Sequence, residues 1–521
     1  MRKGLSYVVI LFLIWGCAQV KPIPGGQKDN QPPKPLDFSP SNENTNFSSK
    51  SFVITFDEYV TLNNIQQELV ISPPLLAPPK VEVRKKSVIV SWKEDLRAQT
   101  TYNFQFGDGI VDINEANKAQ DLQYVFSTGS ELDSATCAFT IINNNTGEKT
   151  KDIKVLFFES DSAFFESRPR PSHTAKSNND GIAKFRYMRP GTFNVYALDD
   201  ANGNYRFDDG EKIGFLATPF EITSADSILH PIRLCDALPE KKRIDNYLVD
   251  STGTLHFHWP KQWGEIQVKS LSEQVASTWY DAAHDTVWVS LNGKPNDTYI
   301  ALVATDNNDV RDTISLPFFA QKEDRWTTVL QENKILRDIA PTWKSPFVFN
   351  IQNAQQKLFN SDSVEVQTTW MKGDNAYSLQ LQGTLKPGKY KGLMLPGTLV
   401  NASQIPNDST VIEFTVMSDK DVGTLQIDLT AWDIQGDYYL ELIDKQNQIA
   451  KTMRVQSSGQ WNMEKIIPGE YMLRIWHDAN NNGIPDLTNI KEKSEAEPYS
   501  VLSKQVTIRA NWEIQIKPAQ N

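Results

Sequence analysis

Hydrophobic and polar residues alternate one by one through much of this chain. The alternation is clear at residues 51–56, 87–92 and 437–442. Because successive side chains of a strand point to opposite faces, a period of two predicts half-buried β-strands. Asn-Gly and Pro-Gly pairs, which favour turns, separate such runs. No long stretch has the 3.6-residue period of an amphipathic helix. The pattern therefore predicts an all-β fold of tandem β-sandwich domains with no large helical domain.

Part of the chain is repeated. Residues 190–204 and 468–482 match at an offset of 278, from an initial Pro-Gly pair to a final Asp- and Asn-rich stretch. A weaker match precedes each copy, anchored by two aromatic residues that are 24 positions apart in both. These anchors are Tyr102 with Phe126, and Tyr390 with Phe414. Internal repeats indicate repeated structural units. We expect a two-domain unit to occur twice, with a further β-domain between the copies.

The N-terminal residues predict export and lipidation. Arg2 and Lys3 precede an apolar run at residues 5–15, which is too short to span a membrane but long enough for a secretory signal. Residues 13–17 (Leu-Ile-Trp-Gly-Cys) resemble a bacterial lipobox, in which the cysteine is lipidated. A Pro- and Gly-rich tether follows. We predict a lipid anchor on Cys17 in the outer membrane, on either its periplasmic or its surface face. The alternative is a plain signal peptide with an incidental cysteine.

Two kinds of known module are similar to parts of the chain. Residues 32–129 resemble an SbsA-type bacterial Ig-like domain. Its matching features are the entry, an alternating strand, a Leu-to-Tyr stretch, an acidic loop and the exit: 32–33, 52–58, 96–102, 107–112 and 126–129. Residues 130–235 and 420–521 are similar to transthyretin-like modules of the carboxypeptidase-regulatory type. In the first of them, Asp-Gly, an alternating strand and Pro-Gly-Thr-Phe follow in order. The resemblance implies an envelope lipoprotein and says little about mechanism.

Together these features divide the chain into seven segments. They are a lipoprotein signal peptide (1–16), a tether (17–31), an SbsA-type Ig-like domain (32–129), a transthyretin-like β-sandwich (130–235), a middle β-domain (240–320), a second Ig-like domain (327–418) and a second transthyretin-like β-sandwich (419–521).

Charge and residue composition argue against two classes of function, nucleic-acid binding and catalysis. The formal charge is -11, from 53 Lys and Arg against 64 Asp and Glu, so the chain lacks the basic balance that phosphate backbones require. We expect no nucleic-acid partner. With six His, three Cys and none of the local motifs of hydrolases, metalloproteases or phosphate-binding loops, the sequence predicts a protein that is not an enzyme.

An Asp- and Asn-rich loop follows the Pro-Gly strand of each copy. Alternating carboxylate and amide side chains supply the hard oxygens that calcium prefers, so both loops are candidate calcium sites. The candidate ligands are Asp200, Asn202, Asn204, Asp208 and Glu211 in the first loop, and Asp478, Asn480, Asn482 and Asp486 in the second. The first loop has Tyr205 where glycine is usual. The second has Asn489 where a bidentate glutamate is expected, and so lacks that ligand. The alternative is a pair of Asx-rich turns that bind no metal.

The two cysteines of the body, Cys137 and Cys235, open and close residues 130–235. An exported protein can form disulfides, and the first and last strands of a small sandwich can be neighbours. A bridge between them is one interpretation. The other is two small buried hydrophobic residues.

The middle region is rich in tryptophan, at positions 259, 263, 279 and 288. Exposed tryptophans could stack on sugars, although aromatic residues alternating along strands are more often core residues. His256 and His258 share one face of a predicted strand, without an evident third metal ligand. We predict a non-enzymatic outer-membrane lipoprotein that acts as a spacer and docking scaffold for another envelope protein. The alternative is a glycan-binding lipoprotein that uses the aromatic middle.

Overall fold

A computed structural model describes residues 29–238, 247–249, 254–258, 266–270, 275–280, 286–291, 298–305, 311–317, 326–353, 356–373, 377–401 and 405–518. The described chain is almost entirely β-structure, which confirms the predicted fold class. The strands fall into five sets, each with its own sheets, which we call modules 1 (29–129), 2 (130–238), 3 (247–317), 4 (326–418) and 5 (419–518). None of the described helices is long and apolar enough to cross a membrane.

Module 1 has nine strands and one short helix. They are β1 (Pro35–Ser39), β2 (Ser51–Phe56), β3 (Val60–Leu62), α1 (Ile65–Glu68), β4 (Val70–Ser72), β5 (Lys80–Arg84), β6 (Ser87–Ser91), β7 (Thr101–Gln105), β8 (Ile110–Asp112) and β9 (Gln123–Ser127). They form sheets in the orders β1-β2-β6-β5, β4-β7-β9 and β3-β8. The alternating residues of β2 place Phe52, Ile54 and Phe56 in the core, as the period of two predicts. Phe52 stacks on Tyr124 with ring centroids 3.9 Å apart.

Module 4 repeats this topology. Its strands are β25 (Val329–Leu330), β26 (Lys334–Ile335), β27 (Thr342–Lys344), β28 (Phe349–Ile351), β29 (Gln356–Asn360), β30 (Thr369–Lys372), β31 (Ser378–Gln382), β32 (Gly388–Met394), β33 (Leu399–Asn401) and β34 (Thr410–Val416). The orders β25-β27-β31-β30, β26-β34-β32-β29 and β28-β33 match the three sheets of module 1, except that β26 adds a parallel strand where module 1 has only the bridge between Asn44 and Phe126. The sequence anchors also match, since Tyr102 stacks on Phe126 at 5.6 Å and Tyr390 on Phe414 at 5.2 Å.

Modules 2 and 5 form the second repeated pair. Module 2 contains β10 (Ala135–Asn143), β11 (Lys154–Phe158), α2 (Asp161–Phe164), β12 (His173–Lys176), β13 (Ile182–Met188), β14 (Gly191–Leu198), β15 (Lys212–Phe215), β16 (Phe220–Ile222) and β17 (Ala225–Asp236). Module 5 contains β35 (Gly423–Asp428), β36 (Asp437–Ile443), β37 (Ile449–Val455), β38 (Gln460–Ile466), β39 (Gly469–Asp478), β40 (Tyr499–Ile508) and β41 (Glu513–Ile516).

The sheets of modules 2 and 5 have the same connections. β13-β10-β17 corresponds to β38-β35-β41, and in both the first and last strands of the module pair in parallel. β12-β11-β14-β15 corresponds to β37-β36-β39-β40, antiparallel throughout. The repeat detected in the sequence is therefore a repeat of both strand orders. The modules differ in one pairing, because β15 also pairs with β17 and joins the two orders of module 2 into one sheet, whereas those of module 5 form separate sheets. The domain boundaries themselves, and the likeness to transthyretin, stay predictions.

Module 3 contains β18 (Tyr247–Val249), β19 (Thr254–His258), β20 (Ile266–Ser270), β21 (Val275–Tyr280), β22 (Thr286–Leu291), β23 (Thr298–Thr305) and β24 (Arg311–Pro317). They form two sheets, β18-β19-β22-β21 and β20-β23-β24. Trp288 of β22 is buried and lies against Tyr377 of module 4, with ring centroids 5.9 Å apart.

The predicted disulfide is wrong. Cys137 and Cys235 are both buried free thiols. β10 and β17 are indeed neighbours, but they run parallel, with Thr136 opposite Ala225 and Asn143 opposite Leu234. The two cysteines thus lie near opposite ends of the pair, separated by about 20 Å at roughly 3.3 Å per residue. Burial raises the pKa of the Cys137 thiol to about 12 and that of Cys235 to about 11.

Candidate functional site

The first acidic loop begins where β14 ends and closes before β15. The Asp200 carboxylate is buried and accepts the backbone N–H groups of Gly203, Asn204 and Tyr205 at 2.8–3.0 Å. The Asn202 and Asn204 carboxamides both reach Asp208 Oδ2 at 2.8 Å. Four of the five predicted ligands therefore meet within one loop.

Glu211 completes the first loop from its far side. Its Oε2 accepts the backbone N–H of Asp208 at 3.0 Å, and the carboxylate also accepts the N–H of Ala201. Burial is the main reason that the pKa of Glu211 is raised. The pKa of Asp208 is lowered, because the amides of Asn202 and Asn204 stabilise its charged form.

The second loop, between β39 and β40, has most of the same hydrogen bonds. Asp478 accepts the N–H groups of Asn482 and Gly483 at 3.0 and 2.8 Å. The carboxamides of Asn480 and Asn482 reach Asp486 at 2.6 and 3.0 Å. The four predicted ligands of this loop are thus together, at positions equivalent to those of the first loop.

The two loops also share their backbone. The third residue after the leading aspartate has positive φ in both, Gly203 at 78° and Asn481 at 59°. Tyr205 and Gly483 follow two positions later with φ of 60° and 75°. Tyr205 therefore adopts the left-handed conformation that glycine favours. Its ring is held among the apolar side chains beside β14, with the Lys154 ammonium 5.1 Å from its centroid.

The prediction that the second loop lacks its glutamate is wrong. Glu497 occupies the place of Glu211. Its two oxygens accept the N–H groups of Ala479 and Asp486 at 2.7 and 3.2 Å, the counterparts of Ala201 and Asp208. Burial raises the pKa of Glu497, as it does for Glu211.

In the sequence, an insertion separates Glu497 from the other residues of the second loop. Glu211 lies three positions after Asp208, whereas Glu497 lies eleven positions after Asp486. The fixed spacing of a calcium loop therefore pointed to Asn489, which instead accepts the N–H of Glu492 within the inserted segment. The sequence match between the two copies ends shortly before this segment. Apart from the offset between the copies, the sequence therefore carried no signal that pointed to Glu497.

One charge distinguishes the loops. The Lys154 ammonium lies 3.0 Å from Asp200 Oδ2 in the first loop. Tyr439 stands at the equivalent position of module 5, since Lys154 pairs with Leu198 and Tyr439 with Trp476. No ion pair forms at Asp478 among the residues that the structure describes. The first loop thus has an internal cation and the second does not.

Neither loop presents three free carboxylates to one point. Within the described ranges, no group of three His, Cys, Asp or Glu side chains is arranged to hold a metal ion. In both loops the carboxylates are instead satisfied by amide N–H groups. The Oδ1 atoms of Asn202 and Asn204 accept the backbone N–H groups of Asn204 and Arg206, and those of Asn480 and Asn482 accept the N–H groups of Asn482 and Ile484. These bonds hold the amide nitrogens toward Asp208 and Asp486, so the loops have the hydrogen bonds of Asx turns, and calcium binding stays a prediction.

A cleft of about 680 Å³ lies between modules 2 and 5. Half-buried Trp432 lines it beside Tyr438, whose ring stacks on His477 at 4.4 Å. Arg233 of module 2 contributes the opposite side and donates to the Tyr499 carbonyl at 3.3 Å. The cleft is thus lined by several aromatic side chains, whereas Trp288 is a buried core residue.

Several predicted residues lie beyond these observations. Cys17, Trp259 and Trp263 fall outside the described residues, so lipidation and the tryptophan platform stay predictions. For His256, His258 and Trp279 the structure describes the strands but not the side chains.

Comparison with known proteins identifies one domain. Residues 29–128 match the family model described as a bacterial Ig-like domain, which agrees with the resemblance of residues 32–129. No curated protein matches the chain.

Solved structures resemble the chain only distantly. A crystal structure of the S-layer protein rSbsC is 10% identical, with 91% of this chain and 67% of that chain covered and a TM-score of 0.15. BcpA, the major pilin subunit of Bacillus cereus, is 10% identical, with coverages of 75% and 100% and a TM-score of 0.14. The Bacillus anthracis TIE protein is 10% identical, with coverages of 95% and 75% and a TM-score of 0.15. At such TM-scores the likeness carries no argument about function.

Proposed function

We propose that this chain is a non-enzymatic structural protein of the cell envelope, anchored in the outer membrane by a lipid on Cys17. Its β modules act as a spacer and docking scaffold for another envelope protein. The main support is that modules 1 and 2, and modules 4 and 5, contact one another through specific side chains rather than only through linkers. The Thr174 N–H of module 2 donates to Ser72 Oγ of module 1 at 3.1 Å, and Lys465 of module 5 pairs with Asp338 of module 4.

The anchoring part of this proposal is tested by Cys17→Ala in the full chain. Acyl chains contribute about 0.8 kcal/mol per buried CH₂, and the acidic body gains nothing from anionic lipid. We expect the variant in the soluble fraction and the parent protein in the membrane fraction. A variant that still sediments with membranes after a high-salt wash would contradict lipid anchoring.

The scaffold part is tested by affinity isolation of the intact protein from solubilised membranes. A stoichiometric protein partner is the expected result. Retention of polysaccharide without a protein partner would favour the alternative of glycan binding. Besides the middle region, a candidate surface for that alternative is the cleft beside Trp432, which combines aromatic rings with the Arg233 guanidinium. Trp432→Ala should then abolish retention.

Calcium binding by the acidic loops is a second part of the proposal. Its support is the common arrangement of the two loops, including the glutamates that occupy the same place from different sequence positions. When bound, calcium would supply positive charge to stabilise the folded loops, and it would be held by the aspartate, asparagine and glutamate side chains named above. The second loop should bind more tightly, because the Lys154 ammonium repels a cation from the first.

A melting experiment tests this part. At 10 mM calcium, on the order of ten times the weakest Kd of extracellular sites, the melting temperature should rise by mass action. Asp478→Ala and Glu497→Gln should remove most of the rise, and Asp200→Ala less of it. Glu495→Gln, at an exposed carboxylate two residues from Glu497, is the matched control and should keep the full rise. An unchanged melting curve for the parent protein would show that the loops are Asx turns.

A further inference from the structure

The insertion that displaces Glu497 reaches across to module 2. We define residues 486–499, from the last aspartate of the second acidic loop to the first residue of β40, as the crossing segment. The equivalent part of module 2 is only a short turn between Asp208 and β15. Modules 2 and 5 are separated in the chain by modules 3 and 4. Contacts made by the crossing segment therefore join distant parts of the sequence.

Ile490 is the apolar contact. It is only 4% exposed and belongs to a cluster on the outer face of the β11-β14-β15 sheet. The other members come from module 2 and include Leu156, Phe158, Tyr196 and Phe215. An isoleucine that fills a cluster of another module removes apolar surface of both modules from water.

Thr488 is the backbone contact. Its N–H donates to the Asp236 carbonyl at 3.2 Å, and its carbonyl accepts the Leu238 N–H at 2.8 Å. These bonds form a parallel β-bridge between Thr488 and Ala237, just after β17 ends. The crossing segment thus extends the main-chain pairing of module 2 by one residue.

Lys493 is the charged contact. Its ammonium lies 2.7 Å from Asp161 Oδ2 and donates to Asn194 Oδ1 at 3.0 Å. Both partners belong to module 2. The ammonium is partly buried, which reduces the screening of this pair by solvent.

Glu497 connects these contacts to the second acidic loop. Its side chain holds the N–H groups of Ala479 and Asp486, while its backbone carbonyl accepts the Asn144 amide of module 2 at 3.1 Å. Asn144 is buried, and its Oδ1 accepts the Tyr499 N–H at 3.4 Å. One residue therefore participates in both the order of the loop and the contact with module 2.

We propose that the crossing segment is a latch that fastens module 5 onto module 2, and that the second acidic loop sets this latch through Glu497. The chain then folds back on itself, with modules 3 and 4 forming the part that lies between two fastened points. The interaction surface is the outer face of the β11-β14-β15 sheet, and its partner is residues 486–499 of the same chain.

Hydrogen exchange of the full chain tests the latch at two amides. The N–H groups of Thr488 and Leu238 bond across the contact, so they report its opening. Ile490→Asp places a carboxylate in the apolar cluster and should accelerate both amides by at least about tenfold. Glu492→Gln, at an exposed position of the same segment, should leave them unchanged. Unchanged exchange in Ile490→Asp would overturn the proposal.

Two further variants separate opening of the contact from unfolding of module 5, and test the role of the loop. If Ile490→Asp also unfolds module 5, amides of β36 and β39 will exchange faster too. Lys493→Ala then replaces it. The ammonium contacts Asp161, Asn194 and the Tyr196 ring of module 2, so its loss should accelerate the same two amides. Asp478→Ala tests the connection to the loop and should accelerate the Thr488 amide. Unchanged Thr488 exchange in this variant would overturn the role of the loop.

Discussion

Modules 2 and 5 share two strand orders and an acidic loop, yet their outer sheet faces differ in chemistry. In module 2, Leu156 pairs with Tyr196, and Leu198 follows on the same face. In module 5 the equivalent positions hold Glu441, Arg474 and Trp476. The Glu441 carboxylate is buried, bonds Arg474 at 2.6 Å and accepts the Trp476 Nε1–H at 2.9 Å. The outer face is therefore apolar in module 2 and ionic in module 5, although the strands that form it pair in the same order.

The difference shows which residues determine the fold. The inward-facing residues of both modules are apolar and form separate cores. The outward-facing residues differ between the two modules according to what covers them. The module 2 face is covered by Phe164, Tyr205, Phe207 and Ile490, all of which add apolar surface. The module 5 face meets a polar loop of module 2, where Arg474 donates to the Asn145 carbonyl at 3.2 Å.

The largest effect should come from breaking the ion pair. Arg474→Met leaves the Glu441 carboxylate buried without its partner, which costs about 3–5 kcal/mol. The loss should appear as a lower local opening free energy for β39 amides in hydrogen exchange.

A variant that copies module 2 sharpens the comparison. Glu441→Leu, Arg474→Tyr and Trp476→Leu together reproduce Leu156, Tyr196 and Leu198 and leave no buried charge. This triple variant should lose less stability than Arg474→Met, because apolar replacements of buried ion pairs are often neutral. An equal or greater loss would mean that the outer face, not only the inner one, determines this fold.

The next effect concerns acid. His173 of β12 is buried against module 1, and Lys451 stands at the equivalent position of module 5. Burial, together with Arg189 and Arg97, lowers the pKa of His173 to about 4 from 6.5. Between these values the unfolded state binds the proton and the folded state does not, so stability falls as the pH decreases. The loss in module 2 should approach about 3 kcal/mol at pH 4.

His173→Gln provides the control for this prediction. It should remove the pH dependence of module 2 between pH 6.5 and 4, measured by hydrogen exchange of β11 and β14 amides. Persistence of the same acid sensitivity in the variant would assign it to another group.

The smallest effect concerns the lysine of the first loop. Lys154→Tyr copies Tyr439 and removes the ammonium beside Asp200. Without calcium the variant should be less stable by about 1–2 kcal/mol, because the buried carboxylate loses a charged hydrogen bond. With 10 mM calcium (a concentration about tenfold above the weakest expected Kd) the melting temperature should rise more than that of the parent protein. A rise no larger than that of the parent would contradict the proposed difference between the loops.

Much of the fold was predictable from local pattern. The alternation at residues 51–56 and 87–91 places β2 and β6 correctly, and the equal spacing of Tyr102–Phe126 and Tyr390–Phe414 identifies equivalent core pairs. Such signals survive because they depend on which side of a strand faces the core. Whether two strands run parallel or antiparallel has no corresponding pattern in the sequence. The parallel course of β10 and β17 is why proximity in the sandwich did not bring Cys137 and Cys235 together.

One sequence pattern could have indicated the contact between modules 2 and 5. Residues 155–158 of β11 are four consecutive apolar residues, all buried, whereas a strand with one solvated face would alternate. Such a run predicts cover on both faces of the sheet. It cannot identify the cover, because Ile490 is hundreds of positions away and lies in a segment that the other copy lacks.

A disulfide across modules 2 and 5 would test directly whether these modules pack against each other. A Cβ built on Gly147 lies 3.7 Å from the Cβ of Val501, which matches the spacing in disulfides. The double variant Gly147→Cys and Val501→Cys, made in the full chain, should form an intramolecular bridge spontaneously on oxidation, identified by peptide mapping. Each single variant is a control and should keep its introduced thiol free, in addition to Cys137 and Cys235. If both introduced thiols stay free in the oxidised double variant, or bridge only between molecules, the packing of module 5 onto module 2 is contradicted.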